Sequence, residues 1–96
     1  MANGAEIGIM VAVREESAAI EAALAGPRPF LRDRVALRTS GMGGALASEA
    51  ARKLLVEVPA LKLLAVSGFC GGLDPSLAVG DLVLAQAVVA RRSASE

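Results

Sequence analysis

The side chains in this chain that can do chemistry are few, and they gather at the ends of apolar runs. Glu15 and Glu16 follow the run at residues 7–13 and open a segment with helical spacing. Acidic residues in the first turn of a helix are favoured by the helix dipole and by the free N–H groups there, which would account for both without any function. General-base work asks more: a carboxylate pointed into a desolvated pocket, within hydrogen-bond reach of the proton it takes. A second group is Ser40-Gly41-Met42-Gly43-Gly44. The third glycine of a dinucleotide-binding G-x-G-x-x-G would fall at Leu46, and no Lys-Ser or Lys-Thr follows a glycine loop, so neither nucleotide fingerprint is present. A third group, Ser67-Gly68-Phe69-Cys70-Gly71-Gly72, follows the apolar run at residues 63–66. Glycines there let the backbone turn sharply or approach a ligand without a Cβ in the way. Cys70 reads as a small packing residue, because a reactive thiolate needs a cationic or imidazole partner and the chain has no His. Asp74 before Pro75, and Gly80-Asp81, read as turns.

The elements that position these groups follow from periodicity. Residues 7–13 are apolar and partly β-branched, which predicts a first buried strand. Residues 14–24 switch to helical spacing and stop at Gly26-Pro27, and Pro27-Arg28-Pro29 argues against regular structure. Residues 35–38 predict a short second strand, and residues 45–56 a helix stopped before Pro59. Residues 61–66 and 82–89 predict the third and fourth strands, with residues 1–5 and 91–96 as loose ends. The order is β-α-β-α-β-β in a single domain, residues 1–96, without an internal repeat. Helical crossovers favour parallel neighbours with right-handed connections. A strand that runs into a glycine loop is where open α/β sheets bind ligands, beyond the carboxyl ends of the strands.

Composition narrows the classes. The chain has 96 residues, is 54% apolar, and has Phe30 and Phe69 as its only aromatics, so its core must be aliphatic and alanine-rich. Ten basic and ten acidic residues cancel, leaving no electrostatic footprint for nucleic acid or an anionic membrane. No apolar run approaches the roughly 20 residues of a membrane span, and the start lacks the pattern of a signal peptide. A single cysteine forms no internal disulfide and fits a reducing cytoplasm. One Cys and no His make a structural zinc site improbable.

The run Ser67 to Pro75, with Leu77, Val79-Gly80-Asp81 and Val83 after it, resembles the purine nucleoside phosphorylase and methylthioadenosine/S-adenosylhomocysteine nucleosidase superfamily. In that family a strand ends in a TGxAGGL-like loop and continues as P-x-L-x-V-G-D-x-V. Residues 7–16 (IGIMVAVREE) are similar to its opening strand and acidic cluster, and residues 35–43 (VALRTSGMG) to its V-x-L-x-x-S-G-I-G segment. The resemblance implies an α/β fold, a three-layer α/β/α arrangement on a mixed sheet, here cut after the fourth strand, with residues 1–96 as the N-terminal half of such a domain. It implies cleavage of a purine N-glycosidic bond, with no organic cofactor or metal. The family's purine-recognition loop, its ribose-holding Met-Glu pair and the Asp that protonates the leaving base have no match in this sequence.

By resemblance, Glu16 falls where nucleosidases keep the glutamate that orients and deprotonates the attacking water, so cap and base are both open readings of it. Ala12, Met42, Phe69, Cys70 and Gly71 fall where the family lines its nucleoside. Phosphorolytic members have a serine at the position of Phe69 and an arginine three residues earlier, where this chain has Val66. Their absence counts against phosphate, which stays possible as a co-substrate. The expected partners are a small nucleoside and further copies of the chain. A non-catalytic nucleoside-binding fragment and a partner-dependent structural subunit are the alternatives.

Overall fold

The computed structural model describes residues 4–27 and 29–89; the expected loose ends, apart from Gly4 and Ala5, lie outside the described residues. The chain folds as β1 (Ile7–Val11), α1 (Arg14–Leu24), a 3-10 helix (Pro29–Arg34), β2 (Val35–Thr39), α2 (Gly44–Glu57) and β3 (Leu63–Val66). The three strands form one parallel sheet in the order β2-β1-β3. Ile7 stands opposite Val35 on one side and Leu63 on the other, and Met10 opposite Arg38 and Val66. The chain moves outward from β1 to β2, then returns past β1 to β3. The right-handed rule for parallel crossovers, applied in opposite directions across the sheet, assigns the two helices to opposite faces. The α/β class is therefore as the sequence led us to expect.

The core lies mainly between α2 and the sheet. Ala5, Met10, Ala36, Leu54 and Val58 form one buried cluster, with Ala47, Ala50, Ala51 and Leu61 against it. Small residues let the helix come close. A Cβ built on Gly8 would lie 2.9 Å from Leu54 Cδ2, nearer than side-chain carbons approach, so Leu54 sits where the first strand has no side chain.

At the amino ends of the strands a carboxylate joins all three. Glu6 accepts from Arg34 at 3.1 Å and pairs with Lys62 at 2.9 Å, each of these residues lying just ahead of its strand. The Lys62 and Arg34 hydrogen bonds, in that order, lower the Glu6 pKa.

Several expectations are corrected. The first strand ends at Val11 rather than at residue 13, because the N–H groups of Ala12 and Val13 turn from the ladder to the Glu16 carboxylate. A 3-10 helix starts at Pro29, inside the stretch read as irregular. The fixed φ and missing N–H of proline suit the first position of a helical turn. The larger correction concerns the fourth strand. Residues 82–89 form neither strand nor helix, and Leu82 is 99% exposed. The run has a strand's apolarity, but no ladder partner stands beside it among the described residues. The turns before it are as expected. Ser76 N–H donates to Asp74 Oδ1 at 2.8 Å, Ala78 N–H donates to Asp81 Oδ2 at 2.8 Å, and Gly80 takes φ +94.

Candidate functional site

The carboxyl ends of β1 and β3 flank the point where the chain reverses its direction across the sheet, the place at which open α/β sheets leave a crevice. A cleft of about 430 Å³ opens there, a size ordinary for a small-molecule site. Its walls are the end of β1 (Met10 to Ala12), the loop into α2 (Ser40, Gly41, Gly43) and the end of β3 with its glycine loop (Val66 to Cys70). The α2 loop is tied to the first strand: Ser40 N–H donates to Val11 O at 2.8 Å and Gly41 N–H to Ala12 O at 3.0 Å. Gly41 and Gly43 take φ of +91 and +101, which ordinary residues rarely adopt, so the bend into α2 requires glycine there.

Glu16 sits on the third residue of α1 and is 9% exposed. Its Oε1 accepts from Ala12 N–H at 3.0 Å and Val13 N–H at 3.2 Å, and its Oε2 accepts from Phe69 N–H at 2.8 Å. The Val13 bond is one half of a capping box; valine has no side-chain oxygen to supply the other half. The Phe69 bond is not a helix cap. It crosses from the first helix to the loop after the third strand, so one carboxylate joins two segments far apart in sequence. The Phe69 N–H does most to hold the Glu16 pKa below the ordinary glutamate value of 4.5, with Ala12 and Val13 helping and loss of solvent opposing. At neutral pH the group is an anion in a fixed orientation.

Among the described residues, Glu16 is the only charged side chain lining the cleft. Arg38 lines a neighbouring groove, where its Nε lies 3.7 Å from Glu57. Among the described residues no group of three or more His, Cys, Asp or Glu side chains is placed to hold a metal, and no helix is long and apolar enough to cross a membrane.

The structure brings together some of the residues singled out above and leaves others apart. Glu16, Ala12, Phe69 and Cys70 all border the cleft. Ala12 and Phe69 serve through their backbone N–H groups, and Phe69 is 72% exposed. Gly71 lies outside the lining, and so does Met42, which is 75% exposed while Gly41 and Gly43 on either side line the cleft. Ser40, Ser67 and Gly68 line it without having been singled out one by one. Their signal was positional, since each closes an apolar strand at its carboxyl end.

Residues 29–96, which take in β2, α2, β3 and the glycine loop, match the family described as the Phosphorylase superfamily. The chain belongs to the phosphorylase superfamily. No curated protein and no solved structure matches it. The matched stretch begins after α1, so in this superfamily member the assignment rests on the Phe69 side of the cleft, and Glu16 enters through its contact with that side.

Proposed function

We propose that this phosphorylase-superfamily chain binds a purine nucleoside in the cleft between β1 and β3 and contributes the nucleophile's side of N-glycosidic bond cleavage. The observation that carries this is the Glu16 carboxylate, buried at the mouth of the strands and aimed by Ala12, Val13 and Phe69. Departure of the base leaves positive charge on the sugar. A fixed anion in a site that excludes water stabilises such charge and can orient a water molecule for attack. The absence of a cation from the described lining favours water over phosphate. An orthophosphate dianion beside Glu16 would need positive charge to replace its hydration, and the lining offers Ser40, Ser67 and backbone groups instead.

Protonation of the leaving purine and the hold on the ribose are a different matter. The resemblance gives them to an Asp and a Met-Glu pair without counterparts among these 96 residues. Loss of a general acid costs about 10² to 10⁴ in rate, so the 96-residue chain alone binds the nucleoside without turning it over at an enzyme's pace. A second copy of the chain is the proposed cover for the apolar edge at β3 and for the exposed leucines and valines at 82–89. The same exposed surface favours, as the second reading, a subunit completed by a different partner.

The test is purine release from methylthioadenosine, S-adenosylhomocysteine and adenosine, with and without phosphate. Release should be slow, independent of phosphate and lower still in Glu16→Gln. Fast release that needs phosphate would overturn water as the nucleophile. Fast release unchanged by Glu16→Gln would overturn the role of the carboxylate.

A further inference from the structure

Gly68 is next to the residue that donates to Glu16, and its missing side chain has a specific consequence. A Cβ built there would stand 2.7 Å from Glu16 Oε2 and 3.4 Å from its Cδ. Carbon and oxygen do not approach so closely. The end of a flexible side chain usually yields to such an obstacle at little cost. This one is held from two sides, by Ala12 and Val13 on Oε1 and by Phe69 on Oε2, so it cannot yield without lengthening a hydrogen bond. The neighbouring loop glycine, Gly71, has nothing within 4 Å of its added Cβ. Gly68 is also absent from the positive-φ residues, which are Gly41, Gly43 and Gly80. An alanine at 68 is therefore compatible with the backbone, and its effect is transmitted through the carboxylate.

We infer that Gly68 is a positioning residue for Glu16: its bare Cα leaves the space in which the carboxylate reaches Phe69. With any side chain at 68, the carboxylate withdraws toward the start of α1, keeps the Ala12 and Val13 bonds and becomes a helix cap alone. Position 68 thus selects between the two things Glu16 can be. This deepens the nucleoside-cleaving reading of the cleft and rests on it only for its functional meaning, since the geometry holds with or without a substrate.

The experiment is NMR on the full chain, following the Glu16 side-chain carboxyl carbon against pH and the amides of Ala12, Val13 and Phe69. In Gly68→Ala the Glu16 titration should move up toward the ordinary value, and the Phe69 amide should lose its protection from exchange. The Ala12 and Val13 amides should keep theirs, and Gly71→Ala should change none of them. Glu16→Asp, which shortens the reach and leaves Gly68 intact, should free the Phe69 amide in the same way. In a Glu16→Ala background, adding Gly68→Ala should have no further effect on Phe69. An unmoved Glu16 titration in Gly68→Ala, or an equal Phe69 change with and without the carboxylate, would overturn the inference. The Glu6 titration at the far end of the sheet reports that each variant is folded. Neither readout involves a nucleoside, so failure here and failure of the glycosidic reading are separate results.

Discussion

Glu6 and Glu16 close opposite ends of the same three-stranded sheet, and both titrate below an ordinary glutamate. The means differ. Glu6 is met by the long side chains of Lys62 and Arg34, in the open. Glu16 is met by backbone N–H groups of Ala12, Val13 and Phe69, in a cleft. Two cations on flexible stems lose conformational entropy to hold the first carboxylate, and salt screens them. The second is held by amides that the fold has already fixed, so only the Glu16 side chain itself loses rotamer freedom. One end of the sheet therefore carries charge pairing of modest worth, and the other carries a preorganised anion. Only the second arrangement can aim a carboxylate at a ligand.

Ways to break that contrast can be ordered by expected effect. Leu54→Ala should be the largest, at about 2–5 kcal/mol for a buried leucine cut to alanine. It removes the side chain that sits over Gly8 and should loosen both ends together, seen as a lower midpoint in urea with both glutamates moving toward ordinary titration. Acid comes next. A depressed carboxylate contributes stability that is present above its unfolded value, here near 4.5 for both groups, and is lost as pH falls through the folded value. Stability should hold down to about pH 5 and decline below the ordinary glutamate range. Glu16→Gln should remove part of that decline, and an unchanged acid limb in that variant would deny the carboxylate its linkage. Salt gives the smallest and most discriminating effect. At 1 M ionic strength, where the screening length is about 3 Å, Glu6 should rise toward its ordinary value while Glu16 stays nearly where it was. Equal shifts would erase the distinction between the two ends.

What the sequence disclosed depends on how local each determinant is. Helix α1 was legible over its whole length, because its apolar spacing and the Gly26-Pro27 stop lie within the segment. The end of β1 was not, because Ala12 and Val13 continue the apolar run and only the folded carboxylate withdraws their N–H groups from the ladder. For residues 82–89 the composition of a strand was visible, whereas pairing depends on a neighbour that sequence periodicity does not supply. The Phe69 loop and Glu16 were picked out by family resemblance; their direct bond, and the part of Gly68 in allowing it, are three-dimensional facts. Met42 shows the same limit in reverse. Its place in the glycine loop was read correctly, but at a positive-φ bend the direction of a side chain depends on the turn, and here it faces solvent.

The most direct test of the account is an adenosine titration of the isotopically labelled chain, read amide by amide. The account expects shifts centred on Ala12, Ser40 and Ser67 to Cys70, saturating together and weakened in Glu16→Gln. Shifts centred instead on the neighbouring groove, which Arg38, Lys53 and Glu57 line, or none at millimolar adenosine, would contradict the cleft between β1 and β3 as the nucleoside site.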